Sequence, residues 1–372
     1  MRIIINAGAL SEPLSGIGRY VAELIAAMPA EIEVVPFRGR QISAPAAAGL
    51  FRSGLRIGRQ MPGARALAGF IGQHAFTAQA RRCQPDVYHE PGFLAHSFDG
   101  PLVVTAHDAS WVRHPETHPP ARVRRMNAKF PAVLARADRV IVDSAFVGTE
   151  MRTLFGVQPE KLRVIPLGVA TTFRPMNTEE TRAVLDQLGV SHGRYLLAVG
   201  TLEPRKNLKT LLQAFGMLPR VLRDRFPLVV VGMQGWNHGE VDAILDQMRQ
   251  RGEVRLVGHV SDPDLAILYA GATLFVYPSL YEGFGLPPLE AMASGVPVVV
   301  SDRASLPEVV GEAGRQVAAL DITALAATLI ELLEDPAARA TLAAAGNVRA
   351  KTFTWEACAR RTAAVYAELS PP

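Results

Sequence analysis

Short runs of β-branched and other apolar residues alternate with longer amphipathic stretches along almost the whole chain. We predict a first series of strands at residues 2–6, 32–36, 87–89, 102–106, 140–143 and 163–166, and a second series at residues 195–199, 228–231, 254–257, 274–277 and 296–301. Most of these runs are continuously apolar, which is typical of parallel strands covered by helices on both faces. Helices are predicted between them, for example at residues 121–137, 208–218, 241–251 and 262–270. This alternation predicts an α/β protein with doubly wound parallel sheets.

The two series of strands are separated by residues 167–175, which contain glycine and proline and precede a helix predicted to begin near Thr178. We therefore predict two Rossmann-like domains, the first covering residues 1–170 and the second beginning at residue 171. Open α/β sheets bind ligands beyond the carboxyl ends of their strands. If the two sheets face each other, the ligand lies in the cleft between the domains.

The composition describes an ordinary globular protein of 372 residues, in which 49% of the residues are hydrophobic and 20% are charged. No stretch approaches the roughly 20 apolar residues of a membrane-spanning helix. The apolar run at residues 3–5 is shorter than the core of a signal peptide, which needs about 7 residues. Cys83 and Cys358 are too few for a disulfide scaffold and lack metal-ligand spacing. These features predict a cytoplasmic protein with reduced thiols.

Residues 34–85 form a basic segment that contains eight arginines and no aspartate or glutamate. Apolar residues are interspersed among the arginines, so the segment could make a peripheral contact with an anionic membrane at the inner face of the cytoplasmic membrane, or attract a lipid-phosphate acceptor. A solvated arginine-rich loop and helix face explains the same pattern, and both interpretations stay open. Nucleic acid is disfavoured, because stacking aromatics and a binding motif are missing.

The strongest motif is a strand, a glycine-containing loop and a helix at residues 274–295. Prolines at the predicted start of the helix fit positions whose amides would be unpaired in any case. Gly283 and Gly285 let the backbone come close to a ligand, and the helix start favours a phosphate. Glu282 and Glu290 flank this anion site, where carboxylates can accept hydrogen bonds from sugar or ribose hydroxyls. Each glutamate alone could be an ordinary surface acid, but the combination indicates a binding site.

A second motif, residues 200–207, follows the first strand of the second domain and precedes a helix. Arg205 and Lys206 are therefore predicted at the edge of the cleft. Fixed cations there would stabilise the negative charge that grows on a departing diphosphate. Taken alone, the pair could equally be two exposed cations at a helix start.

Two weaker signals occur in the first domain. Gly16 and Gly18 follow the first strand and open a helix, in a loop that could approach a phosphate or an acceptor, although a Gly-x-Gly pair by itself is a weak signal. His107 follows a buried strand and is predicted to project toward the cleft. A histidine in such a position is as often structural as catalytic.

Together these motifs resemble the retaining glycosyltransferases of family 4, which have the two-domain GT-B fold. The spacing from Glu282 to Glu290 matches the family's E-x7-E signature, and the resemblance covers almost the whole chain. The segments that resemble the mannosyltransferase-like branch are His107 with Asp108, Trp111, residues 114–116 and residues 200–207. The resemblance also implies that the last helix, in residues 355–372, returns to the first domain. The second domain would then comprise residues 171–354.

The resemblance further implies roles for individual residues. Glu290 would hold the donor ribose and Glu282 the hydroxyls of the transferred sugar, while Lys206 would bind phosphate. Thr201 stands where the family commonly has arginine, so Arg205 would supply the missing charge. His107 would contact the donor sugar. The backbone amides offered to the diphosphate would come from Phe284, Gly285 and Leu286.

These inferences predict a retaining hexosyltransferase that uses a nucleotide-diphosphate sugar as co-substrate. The resemblance favours GDP-mannose or a GDP-deoxyhexose such as GDP-rhamnose as donor. The acceptor would be a glycan or a lipid-linked sugar in cell-surface polysaccharide synthesis. No metal is expected, because Lys206, Arg205 and the helix start would supply the positive charge. Three alternatives stay open: a glycoside hydrolase that uses the two glutamates, a nucleotide-sugar epimerase, and a non-catalytic nucleotide-sugar-binding homologue.

Overall fold

The structure is a computed structural model and describes residues 1–10, 16–39, 64–233 and 239–369. Its first sheet has the strand order β2-β1-β3-β4-β5-β6, and all neighbouring strands are parallel. The strands are β1 (Arg2–Asn6), β2 (Glu33–Phe37), β3 (Val87–Glu90), β4 (Leu102–Ala106), β5 (Arg139–Val142) and β6 (Leu162–Val164). The helices of this half are α1 (Gly16–Ala26), α2 (Ala64–Cys83), α3 (Ser110–Arg113), α4 (Pro120–Arg136) and α5 (Ala145–Phe155).

The second sheet is also six-stranded and parallel, in the order β12-β11-β10-β7-β8-β9. Its strands are β7 (Leu196–Val199), β8 (Leu228–Val231), β9 (Val254–Gly258), β10 (Leu274–Tyr277), β11 (Val298–Ser301) and β12 (Arg315–Val317). The helices are α6 (Thr178–Gln187), α7 (Leu208–Gly216), α8 (Arg220–Arg225), α9 (Gly239–Gln250), α10 (Asp262–Ala270), α11 (Leu286–Ala293), α12 (Leu306–Val310), α13 (Ile322–Glu334), α14 (Pro336–Ala350) and α15 (Trp355–Ala367).

The predicted fold class, two doubly wound parallel sheets of the GT-B type, is confirmed. All eleven predicted strands are present, with small shifts at their ends. The twelfth strand, β12, was not predicted, because two of its three residues, Arg315 and Gln316, are exposed and polar at the edge of the sheet. An apolar pattern identifies a strand only where its side chains are buried.

The connection between the two sheets is residues 165–177, which form neither helix nor strand. Gly168 packs so closely against the start of α15 that a Cβ atom would lie 2.2 Å from the amide nitrogen of Trp355. From there α15 extends along the first domain, where the Tyr366 hydroxyl lies 2.7 Å from His89 Nδ1. Just beyond α15, the carboxylate of Glu368 accepts hydrogen bonds from two arginines of the first sheet, Arg139 and Arg163.

Three groups of buried apolar residues hold the fold together. One covers the outer face of the first sheet and another covers the outer face of the second. The third is continuous from the first sheet through the connection at residues 165–177, called the hinge below, to the second sheet and α15. The two domains therefore share a core on the side of the hinge. Within the described ranges, no helix combines the length and the apolar character that a bilayer crossing requires.

Candidate active site

Glu282 lies at the centre of a polar cluster where the chain leaves β10. Its Oε1 atom accepts hydrogen bonds from Lys206 Nζ at 2.7 Å, from the Tyr277 hydroxyl at 2.9 Å and from the Ser279 hydroxyl. Its Oε2 atom lies 3.1 Å from Arg205 Nη1. The sequence predicted Glu282, Lys206 and Arg205 as site residues, and the fold brings all three into direct contact.

Hydrogen bonds between two loops bring these residues together. The carbonyl oxygen of Arg205 accepts from the Leu280 amide at 2.8 Å, and the Ser279 hydroxyl oxygen lies 3.0 Å from it. The Asn207 side chain donates to the carbonyl of Pro278 at 2.9 Å. Because β7 and β10 are neighbours in a parallel sheet, the loops after them leave the same edge and can be joined in this way.

The cluster fixes the charge of Glu282. Burial raises the cost of ionising this carboxyl, but the ion pairs with Arg205 and Lys206 outweigh it and lower its pKa to about 2. Burial lowers the pKa of Lys206, although Glu282 opposes this effect. Glu203 pairs with Arg205 at 2.6 Å, so two carboxylates balance two cations. Glu282 is therefore ionised at every pH at which the protein would be assayed.

Helix α11 begins immediately after this cluster. Gly285 precedes it with φ of 123°, a backbone conformation that residues with a Cβ rarely adopt, and Leu286 is its first residue. Two prolines follow at the helix start, as the sequence predicted, and Gly295 follows its end with φ of 76°. The hydroxyl of Ser305 donates to the carbonyl of Phe284 and fixes the loop. The Phe284 ring is buried, so only the backbone of this residue can serve a ligand in the cleft.

Glu290 lies in the second turn of α11 and is almost completely buried. Its Oε1 atom accepts a hydrogen bond of 2.6 Å from Nη1 of Arg19, which belongs to α1 in the other domain. Nη2 of the same arginine donates to Asp262 at 2.6 Å. Burial raises the pKa of Glu290, and Arg19 counteracts this rise. No role was predicted for Arg19 from the sequence, although this residue lies in the same short segment as Gly16 and Gly18.

His107 lies at the end of β4, but both of its ring nitrogens are already occupied. Nδ1 lies 2.6 Å from the carboxylate of Asp143, and Nε2 lies 3.0 Å from the carbonyl oxygen of Pro91. The Pro91 carbonyl can only accept, and an ionised Asp143 carboxylate also accepts, so this arrangement favours a ring that is protonated at both nitrogens. Burial lowers the pKa of His107, but Asp143 outweighs this effect and the net change is upward. In this conformation neither ring nitrogen can contact a donor sugar.

The backbone of His107 is also a contact point between the domains. A Cβ atom at Gly283 would lie 1.7 Å from the His107 carbonyl oxygen, so only glycine allows this approach. On the first-domain side, the Ser144 hydroxyl donates to the Gly283 carbonyl at 2.7 Å. The space beside Gly283 is therefore filled by protein backbone rather than left open for a ligand.

Two further side chains of the second domain bind the first domain beside Gly283. The hydroxyl of Tyr281 accepts from the Ala109 amide at 2.8 Å and donates to the buried carboxylate of Glu150. Glu308 accepts from the amides of Ala145 at 2.9 Å and Phe146 at 3.3 Å, at the start of α5. The domains are thus closed on each other through the loop that carries Glu282.

The remaining predicted residues lie at the periphery of this cluster. Thr201 follows β7, and its carbonyl accepts from the Glu203 amide at 2.8 Å in the turn that leads to Lys206. Gly16 and Gly18 lie in the first turn of α1, and a Cβ at Gly16 would meet no atom of the described residues within 4 Å.

One Asp-x-Asp spacing, a pattern that could bind a metal ion, occurs in the sequence at Asp262 and Asp264. Asp262 pairs with Arg19, and Asp264 accepts a hydrogen bond of 2.7 Å from the Ser261 hydroxyl at the start of α10. In the part of the chain that the structure describes, no three histidine, cysteine, aspartate or glutamate side chains are grouped in a way that could hold a metal ion.

Known proteins resemble this chain over both domains. Residues 14–173 match the family described as Glycosyltransferase Family 4, and residues 186–349 match Glycosyl transferases group 1. The O-antigen chain mannosyltransferase B of Escherichia coli is 36% identical, over 98% of this chain and 99% of the relative. The chain belongs to glycosyltransferase family 4. It is a hexosyltransferase of the mannosyltransferase-like branch, so the hydrolase interpretation of Glu282 and Glu290 is wrong.

A second relative of this family 4 enzyme and two solved structures are also similar to it over most of the chain. The MMP alpha-(1->4)-mannosyltransferase of Mycolicibacterium hassiacum is 33% identical, over 80% of this chain and 76% of the relative. Among solved structures, the sucrose-phosphate synthase of Thermosynechococcus elongatus superposes with a TM-score of 0.77, at 25% identity, over 99% of this chain and 98% of that one. Anabaena HepE, solved with UDP and glucose, superposes with a TM-score of 0.73 at 20% identity, over 99% and 100% of the two chains. The last comparison supports the fold alone.

Several residues of the family 4 site were not predicted. Tyr277 and Ser279, which donate to Glu282, lie within five residues of it in the sequence, so their position beside the motif was a usable signal. Asp143 ends the predicted strand 140–143, next in the sheet to the strand that precedes His107. Arg19 and Tyr281 act across the cleft, and nothing in their local sequence indicates a distant partner.

Proposed function

We propose that this enzyme transfers mannose from GDP-mannose, with retention of the anomeric configuration, to the growing glycan of a cell-surface polysaccharide. The observation that carries this proposal is the similarity, over nearly its full length, to a mannosyltransferase named for the O-antigen chain. A second relative is also named as a mannosyltransferase. The cluster of cations at the start of α11 suits a diphosphate sugar as donor.

In this proposal the diphosphate binds between Lys206, Arg205 and the start of α11. Lys206 donates to Glu282 in the structure, so an arriving phosphate oxygen would compete with the carboxylate for the ammonium group. As Lys206 turns to the phosphate, Oε1 of Glu282 loses one of its three donors, and a hydroxyl of the sugar can take the place of that donor. Donor binding and the availability of Glu282 are thereby coupled.

The proposed reaction takes place on one face of the sugar. The acceptor oxygen forms a bond to the anomeric carbon while the bond from that carbon to the β-phosphate oxygen breaks on the same side. The acceptor proton passes to the departing phosphate oxygen, and GDP leaves. The protein contributes positioning and charge stabilisation, both of which are large effects. Because Lys206 and Arg205 supply positive charge, we propose that the reaction needs no metal.

The test is a transfer assay with the purified enzyme and a lipid-linked glycan acceptor. GDP-mannose is expected to give an α-linked product, identified by the one-bond carbon–proton coupling at the anomeric carbon. EDTA is expected to leave the rate of transfer unchanged. GDP-rhamnose and UDP-glucose are the comparison donors. If either is transferred faster than GDP-mannose, that nucleotide sugar becomes the proposed donor. Conversion of GDP-mannose without acceptor to another nucleotide sugar would support an epimerase instead. Binding without any turnover would support a non-catalytic homologue.

We also propose that the first domain contacts an anionic membrane surface, where a lipid-linked acceptor would be found. The support is α2, on which Leu67, Phe70 and Ile71 are between 42% and 61% exposed and two arginines lie in the last turn. Exposed apolar side chains flanked by cations favour an interface with anionic lipids. Residues 40–63 of the predicted basic segment lie outside the described residues.

This membrane contact predicts salt-sensitive binding to vesicles. The enzyme is expected to sediment with vesicles of phosphatidylglycerol at low salt and to be released as the salt concentration rises, because Debye screening weakens the charge attraction. A variant with Leu67→Ser and Phe70→Ser should bind less, while the exposed change Val348→Ser on α14 is the matched control. Equal binding to neutral phosphatidylcholine vesicles would refute the contact.

A further inference from the structure

Arg19 joins the two domains at the carboxylate to which the family resemblance assigns the donor ribose. It lies in the first full turn of α1, and its guanidinium divides its hydrogen bonds between two carboxylates of the other domain. One is Glu290 on α11 and the other is Asp262 at the start of α10. The guanidinium also lies 5.7 Å from the ring centre of Phe173, which belongs to the hinge.

The two ion pairs of Arg19 differ in burial. The Asp262 side chain is 56% exposed, so its pair with Arg19 contributes little to stability. The Glu290 side chain is only 6% exposed, and Arg19 is its one cationic partner among the described residues. A buried carboxylate needs such a partner to stay ionised. Glu290 in the second domain therefore depends on a residue of the first.

We propose that Arg19 is a positioning residue for the nucleotide: it holds Glu290 in place for the donor ribose, so the ribose site is complete only when the domains are closed. This inference rests on the proposed function, in which the donor is a nucleotide sugar. Each carboxylate oxygen has two lone pairs, so Glu290 keeps the capacity to accept a hydrogen bond from a ribose hydroxyl beside Arg19 at Oε1 and the neighbouring Tyr269. A planar guanidinium that binds two carboxylates fixes both the position and the orientation of Glu290.

The charges around Glu290 determine how this contribution depends on pH. Besides Arg19, the groups that face it are Asp262 and Tyr269, both on α10, and Glu23 lies near Arg19 on α1. Burial already raises the pKa of Glu290, and Arg19 is the main influence that opposes this rise. Without Arg19 the pKa of Glu290 rises further. A smaller fraction of Glu290 is then ionised as the pH falls, and less of it can accept from the ribose.

The experiment compares the binding of GDP with that of 2′,3′-dideoxy-GDP, which lacks both ribose hydroxyls, by isothermal titration calorimetry. Arg19→Gln is expected to weaken GDP binding about tenfold, as for the loss of a hydrogen bond that involves a charged group, and more strongly at pH 6 than at pH 8. Binding of the dideoxy nucleotide should be nearly the same in the variant and the wild type. In the transfer assay, the donor KM should rise more than kcat falls.

Three further variants make the result specific. Arg19→Lys keeps the charge but loses the planar fork, so its affinity for GDP should lie between those of the wild type and Arg19→Gln. Asp262→Asn removes the exposed partner and should change GDP binding little. Arg315→Gln, which breaks an exposed pair with Glu331 far from the cleft, is the matched control.

Two outcomes would overturn the inference: equal weakening of GDP and dideoxy-GDP by Arg19→Gln, or no change for either nucleotide. Both leave the proposed function intact. If the wild-type enzyme binds neither GDP nor GDP-mannose, the proposed function itself is overturned and the inference with it. A structural role alone would lower thermal stability without distinguishing the two nucleotides.

Discussion

Replacing Lys206 with alanine is expected to lower kcat about a hundredfold, the typical effect of losing one group that stabilises a developing anion. The Lys206 ammonium lies within hydrogen-bonding distance of Glu282 and Tyr277, where it would meet the diphosphate. Its removal also leaves the buried Glu282 with Arg205 as the remaining cationic partner in the cluster, so the pKa of Glu282 should rise from about 2. The measurement is single-turnover transfer from GDP-mannose to the acceptor.

The control for this variant is Lys351→Ala, an exposed lysine that follows the end of α14. Guanosine, which has no phosphate, should bind equally to the wild type and to Lys206→Ala, whereas GDP should bind the variant more weakly. Near-normal turnover by Lys206→Ala would remove this residue from the proposed phosphate site. If Lys206→Ala destabilises the protein, its melting temperature will be lower than that of the wild type. Lys206→Met, which has a side chain of similar length, should show a smaller decrease.

Replacing Gly283 with alanine is expected to lower kcat roughly tenfold to a hundredfold. Overpacking of this kind typically costs about 1–3 kcal/mol, which here would destabilise the closed arrangement of the two domains. The added Cβ atom would lie 1.7 Å from the His107 carbonyl oxygen and 3.1 Å from Asp108 Cβ, so backbone must move on at least one side. The domains could then no longer close as they do here. GDP should still bind through its proposed phosphate contacts in the second domain, but more weakly, because Arg19 of the first domain would no longer reach Glu290.

The matched control for Gly283→Ala is Gly69→Ala in α2, where a Cβ atom would meet none of the described atoms within 4 Å. Small-angle X-ray scattering of both variants with GDP would report whether the domains close. A Gly283→Ala enzyme with normal kcat would mean that transfer does not need the contact between this loop and His107.

Most of the fold could be predicted because its central strands, such as β8, β10 and β11, are buried on both faces and appear in the sequence as apolar runs. A connection between the two sheets was predicted at residues 167–175, where the pattern is interrupted, and the structure has residues 165–177 without helix or strand there. β12 could not, since an edge strand with exposed Arg315 and Gln316 lacks the burial that produces the pattern. The helix start after β10 was predictable from its prolines, which fit few other positions.

The site could be predicted where its residues are close in sequence. Glu282 and Glu290 belong to one strand, loop and helix, and the pair at 205 and 206 belongs to another. The partners of Arg19 are 243 and 271 residues away from it, and no local pattern encodes a contact at that separation. The contact of Gly283 was also beyond prediction, because its neighbour is backbone from the other domain rather than a ligand.

Glu308 has a consequence for how the enzyme opens. This carboxylate of the second domain supplies hydrogen-bond acceptors to Ala145 and Phe146, the first two amides of α5 in the first domain. Separation of the two domains would remove part of the N-terminal cap of that helix and leave its first turn free to fray. Amide hydrogen exchange at Ala145 and Phe146 would therefore report how often the two domains separate in the enzyme without ligand.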